Sequence, residues 1–103
     1  MVLIETPVFT RQVVAQMPAD EYRLFQLHLV AHPGAGPIMK ESGGLRKIRW
    51  QLPGRGKRGG ARIIYYWDVA QSRLFLVFLY PKNERADLTR AQLRTLRTLV
   101  IAP

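Results

Sequence analysis

Residues 74–80 read Leu-Phe-Leu-Val-Phe-Leu-Tyr, with no polar residue among them. A strand with one face in water alternates apolar and polar side chains. A strand that does not alternate has both faces covered. The run therefore predicts a central strand, Leu74–Tyr80, and the remaining chain must cover both of its sides. At 103 residues the expectation is one domain, 1–103, burying roughly 60–68% of its unfolded surface. Hydrophobic residues make up 48% of the chain, enough for a packed core rather than a disordered polymer.

The cover is legible as three helices. Thr6-Pro7 has the form of an N-cap followed by proline at the first helical position. Phe9, Val13, Val14 and Met17 then recur at helical spacing. Met17-Pro18 breaks that helix. Asp20 and Glu21 begin the next one, where the helix dipole favours negative charge. Tyr22, Phe25 and Leu29 form its buried stripe, with Leu24 and Val30 on the flank, and His32-Pro33-Gly34 ends it. These helices, about 7–16 and 19–31, should form a hairpin packed on the sheet. The last helix begins at a capping box, Thr89 with Gln92, beside a Leu88–Leu93 staple. Leu93, Leu96 and Val100 line its apolar stripe with Leu99 beside it, and Arg90, Arg94 and Arg97 lie off it.

Three further strands complete the pattern. Val2–Ile4 suits a short first strand. In Leu45–Gln51, alternation places Ile48 and Trp50 with Arg46 toward the helices, and Lys47 and Arg49 together on the opposite face. In Ala61–Trp67, Arg62, Ile64 and Tyr66 share one face, and Ile63, Tyr65 and Trp67 share the other. The order β-α-α-β-β-β-α, with a mostly antiparallel sheet and segregated helices, is α+β. Between the second and third strands, Pro53–Gly60 is rich in glycine and like charges and is expected to be mobile.

Charge narrows the partners. Sixteen Lys and Arg against seven Asp and Glu give a formal net charge of +9. Leu45–Trp67 alone holds seven of those cations (Arg46, Lys47, Arg49, Arg55, Lys57, Arg58 and Arg62) and no acid. Such a chain favours a polyanion. With no cysteine there is no disulfide framework and no cysteine-based zinc site. His28 and His32 stand four apart on a helix, but no third ligand accompanies them, so a polar helix flank is the better reading than a metal site. No run approaches the ~18 apolar residues of a membrane span. The N-terminus lacks the form of a signal peptide. A cytoplasmic location is expected, with no cofactor.

The basic face carries no Ser/His/Asp or Cys/His set, no paired carboxylates and no phosphate-cradling GxxxxGK[ST] loop. It does gather cations on neighbouring strands: Lys47, Arg49 and Arg62, with Lys57 and Arg58 from the loop. A 2′-hydroxyl attacking its adjacent phosphorus creates extra negative charge, which such donors stabilise. A lysine crowded by cations can take up the hydroxyl proton. Composition alone favours phosphate binding over chemistry, because positive charge reports binding more directly.

Three segments shift that balance: Gly43-Gly44-Leu45-Arg46-Lys47-Ile48-Arg49, then Gly56–Tyr66 (GKRGGARIIYY), then Tyr80-Pro81-Lys82-Asn83-Glu84. With Glu21–Phe25 and the order of elements, they resemble the RelE/ParE superfamily of bacterial type II toxins, and within it the HigB-type members most. The resemblance covers nearly the whole chain. It implies a ribosome-dependent mRNA endonuclease and a cognate helix-turn-helix antitoxin. In RelE-like toxins two cations on the strand before the loop face the scissile phosphate, and Lys47 and Arg49 hold those positions. An arginine opening the next strand matches Arg62. A basic residue after the central strand has its nearest match in Lys82, offset by one. Their place in the basic and polar segments, rather than the resemblance, makes Arg46, Arg55, Lys57, Arg58, Asn83 and Arg85 the expected contacts to RNA and ribosome. RelE itself also uses a tyrosine near the start of the last helix. Leu88-Thr89 stands there instead, which leaves the donor to the 5′-leaving oxygen unassigned, with Tyr80 and Tyr66 as substitutes. The histidines of other HigB toxins have no counterpart. Two alternatives remain at this point: a ParE-like inhibitor of DNA gyrase, and an inactive module that binds only RNA or antitoxin.

Overall fold

The computed structural model describes residues 1–52, 60–82 and 88–100. The loop expected to be mobile falls at residues 53–59, outside them. The elements follow the expected order: β1 (Val2–Glu5), α1 (Pro7–Gln16), α2 (Ala19–Ala31), β2 (Arg46–Gln51), β3 (Gly60–Asp68), β4 (Arg73–Pro81) and α3 (Arg90–Thr98). The four strands form one sheet in the order β1-β4-β3-β2. β2, β3 and β4 are antiparallel neighbours, and β1 runs parallel to β4.

β4 is an interior strand, as its unbroken apolar run requires, and each face of the sheet has its own core. On one face Phe9 and Val13 of α1 and Phe25 and Leu29 of α2 pack on Ile48, Ile63, Tyr65 and Leu76. On the other, Leu93, Leu96 and Val100 pack on Leu45, Ile64, Phe75 and Val77. Each such side chain contributes roughly 1.5–3 kcal/mol when fully buried.

Three flanking apolar residues are more exposed than their helical spacing led us to expect. Val14, Leu24 and Val30 are 79%, 55% and 40% exposed. Each neighbours a fully or nearly buried residue (Val13, Phe25 or Leu29), and one residue is a turn of about 100° around a helix. The hairpin rests on the sheet along a narrow stripe, so side chains beside that stripe point to solvent.

The start of α1 is tied to β4 through hydrogen bonds that local spacing could not reveal. β1 covers the outer edge of β4 only as far as the Glu5–Leu76 pair. Beyond it, Thr6 Oγ1 donates to the Val77 carbonyl at 2.8 Å while accepting from the Phe9 amide at 3.1 Å. Gln12 Oε1 accepts the Leu79 amide at 2.7 Å. Two side chains thus satisfy backbone groups that β1 is too short to reach. This holds in place the end of β4 that leads to Tyr80 and Lys82.

The segment before β2 is fixed by Tyr65. Its hydroxyl donates to the Pro33 carbonyl and accepts from the Gly36 amide, both at 2.8 Å. Burial pushes the Tyr65 phenol above its ordinary range. The segment lies along β2, where the Lys47 amide donates to the Pro37 carbonyl at 3.2 Å. A Cβ on Gly36 would stand 2.7 Å from the Lys47 carbonyl oxygen and 2.9 Å from the Tyr65 ring. The first of these neighbours is backbone and cannot swing aside. Gly36→Ala should therefore cost about 1–3 kcal/mol, the usual range for overpacking. Urea unfolding measures it; a change below about 0.5 kcal/mol would mean that the segment adapts freely.

Candidate active site

The site is assembled by strand register. Arg49 of β2 pairs directly with Arg62 of β3, and Arg62 pairs with Tyr80 of β4. The three side chains therefore stand in a row across the sheet on the face that α3 covers farther along. Lys47, two residues before Arg49, projects from the same face, opposite Ile64. Directly opposed residues have Cβ atoms about 4.5–5.5 Å apart, where like charges destabilise the pair. The two like charges repel across the pair, and a polyanion between them would be attracted by both.

Lys82 joins them from the end of β4. Its amide donates to the Gly60 carbonyl at 3.1 Å, which keeps the chain beside the start of β3. Arg49, Arg62 and Lys82 line one cavity of about 140 Å³, with Trp50, Gln51, Gly60 and Ala61 completing its wall. A water molecule occupies about 30 Å³ in the liquid, so the space suits a phosphate-sized group. Larger hollows of about 330, 410 and 240 Å³ have mainly apolar linings, around Phe78, Leu88 and Leu96, around Ile4, Phe75 and Leu99, and around Val13, Val14 and Met17. They offer no comparable cluster of cations.

The structure thus brings together Arg49, Arg62 and Lys82 at one end of the sheet, with Lys47 on the same face two residues farther in. It separates Arg46 from them. Arg46 lies on the other face, where its guanidinium donates to the Gly36 carbonyl at 2.9 Å and sits 5.7 Å from the centre of the Trp67 ring. Its alternation with Ile48 and Trp50 already placed it there; only its charge grouped it with the RNA contacts. Arg55, Lys57, Arg58, Asn83 and Arg85 lie outside the described residues.

The two tyrosines left open by the sequence have different surroundings. The Tyr66 ring lies under Arg97, whose guanidinium is 4.5 Å from the ring centre and donates to the Gly43 carbonyl at 2.9 Å. It serves to seat α3. Tyr80 is 3% exposed, and its hydroxyl is buried with no hydrogen-bond partner among the described residues. Nothing in the local pattern of residues signals this. An apolar run shows that a strand is covered, not which of its polar atoms lacks a partner.

The His28 and His32 rings of α2 meet at a tilt with centres 5.2 Å apart, and His28 lies 5.5 Å from Trp50 of β2. Among the described residues no group of three or more His, Asp or Glu side chains could hold a metal ion. Nor is any described helix long and apolar enough to cross a membrane.

A family model described as the RelE toxin of the RelE / RelB toxin-antitoxin system matches residues 35–102, more than half of the chain. The chain belongs to the RelE toxin family. The match runs through β2, β3, β4 and α3, and so includes every cation of the row. The resemblance to RelE/ParE type II toxins read from GKRGGARIIYY and its flanking segments is thereby upheld. This RelE-family chain is the toxin of a toxin–antitoxin pair, with an antitoxin of RelB kind as the partner its family implies.

Proposed function

We propose that this RelE-family toxin is a ribosome-dependent mRNA endonuclease of HigB type, acting in the bacterial cytoplasm as one domain, 1–103. The observation that carries the proposal is the opposed Arg49–Arg62 pair sharing a phosphate-sized cavity with Lys82. Three cations converging on one small space suit a single phosphate whose charge rises during reaction.

In this reading the scissile phosphate enters the cavity. Arg62 presents its planar fork to two phosphate oxygens, and Arg49 and Lys82 stabilise the growing charge from either side. Lys47 takes the proton from the 2′-hydroxyl as that oxygen bonds to phosphorus. The P–O5′ bond breaks, leaving a 2′,3′-cyclic phosphate and a 5′-hydroxyl. The loop cations Arg55, Lys57 and Arg58, with Asn83 and Arg85, are assigned to RNA and ribosome contact on sequence grounds. The proposed partner is a helix-turn-helix antitoxin.

Primer extension on cellular mRNA after induction tests the function. Cuts inside translated frames are the expected result. Growth arrest with intact message would favour the gyrase-inhibiting reading instead. Ribosome binding is also expected to depend strongly on salt. With about five phosphate contacts, affinity should drop more than tenfold between roughly 50 and 200 mM salt. A flat response in a sedimentation assay would remove phosphate contact as the basis of binding.

A further inference from the structure

Cleavage by 2′-hydroxyl attack needs a proton for the departing 5′-oxygen, and the cations assigned above leave that step open. We propose that Tyr80 supplies it, an inference that rests on the endonuclease reading. Two observations select this residue. Tyr80 is the direct cross-strand partner of Arg62 on the site face. Its hydroxyl is buried with no partner among the described residues, so its proton is committed to no acceptor there. An unpaired buried hydroxyl is a cost that phenylalanine at the same place would remove.

The other hydroxyls in reach are placed or used otherwise. Tyr66 lies four residues from Arg62 along β3, about 13 Å in a strand, and holds Arg97 on its ring. Thr89, near the start of α3, accepts the Gln92 amide at 3.1 Å and serves the helix cap. Arginine gives up its proton too reluctantly to act as an acid.

In the free protein the Tyr80 hydroxyl is shut off from solvent. It meets the substrate when the neighbouring Arg62 side chain has turned onto the phosphate. As the 2′-oxygen bonds to phosphorus, its proton passes to Lys47. As the P–O5′ bond breaks, the phenol proton passes to O5′. The phenolate then recovers a proton from water, and Lys47 returns one, so the enzyme ends as it began.

The test is Tyr80→Phe in single-turnover cleavage on ribosomes programmed with a short mRNA. Two versions of the message are used, one natural and one with sulfur replacing the bridging 5′-oxygen at the cut. A thiolate leaves without being protonated. We expect Tyr80→Phe to slow the natural linkage about 100- to 10,000-fold and to cut the sulfur linkage at close to the rate of the unsubstituted protein. Its ribosome binding should be unaltered and its melting temperature equal or higher. Tyr66→Phe should cut both messages normally. Normal cleavage of the natural linkage by Tyr80→Phe overturns the proposal. So does equal slowing on both linkages, which marks a structural role, and so does loss on Tyr66→Phe with rescue by sulfur. If the unsubstituted protein cuts neither message, the endonuclease reading itself fails and takes this proposal with it.

Discussion

Arg62→Ala should abolish toxicity while leaving the chain folded. Arg62 is the centre of the row, flanked across the sheet by Arg49 and Tyr80, and it lines the cavity that Lys82 closes. In the proposed mechanism it makes the bidentate contact to the phosphate as negative charge grows there. Removing one donor from a preorganised site of this kind costs about 2.7–4 kcal/mol, a rate loss of about 100- to 1,000-fold. Lysine should rescue little, since an ammonium cannot present two parallel donors. Stability should change little, because the substitution also removes a like charge facing Arg49. Growth after induction reads the activity, and thermal unfolding supplies the control. A folded Arg62→Ala protein that remains fully toxic would end the catalytic assignment and favour a toxin that works by binding alone.

Phe25→Ala should show the largest effect on stability. Phe25 is fully buried, and its ring meets Trp50 edge-on, with centres 5.3 Å apart. Trp50 is also held by its indole N–H, which donates to Glu21 at 2.9 Å. Helix α2 therefore grips β2 at the residue next to Arg49. Truncating a buried phenylalanine costs about 3–5 kcal/mol, against a total stability of about 5–15 kcal/mol for a domain. In urea the midpoint should fall sharply with an unchanged slope. Leu24→Ala, one residue away but exposed, should stay within about 0.5 kcal/mol. If the two variants proved equally damaging, the seating of α2 described above would be wrong.

The comparison of Phe25 with Leu24 also shows where sequence reading stops. Helical spacing identified the stripe of α2 but not its width, because the width depends on how deeply the helix settles on the sheet. Strand alternation fared better. It placed Lys47 and Arg49 together on one face of β2, and Arg62 with Ile64 and Tyr66 on one face of β3, because a period of two allows only two answers; that these faces coincide came from the pairing of Arg49 with Arg62. It placed Arg46 on the other face as well, yet charge counting still grouped Arg46 with the site. The parallel pairing of β1 with β4 had no local signal, and neither did the capping of β4 by Thr6 and Gln12. Those contacts depend on residues about seventy positions apart meeting in space. The candidate acid was the least legible feature. Tyr80 reads as one more member of an apolar strand, and only its surroundings set its hydroxyl apart.

That pairing of the first segment with β4 has a consequence for the order in which the molecule comes into being. Val2 has its sheet partner in Arg73, and Thr6 has its acceptor in Val77. A chain made from its N-terminus therefore finishes β1 and α1 long before their neighbours exist. The antiparallel β2, β3 and β4 can pair one after another as they appear, across short separations. The first segment cannot join the sheet until β4 is complete, and closing so long a loop carries an entropy penalty that short-range pairing avoids. By then β2 and β3 have also been made, so the strands that carry Lys47, Arg49 and Arg62 precede the final docking of the segment that was synthesised first.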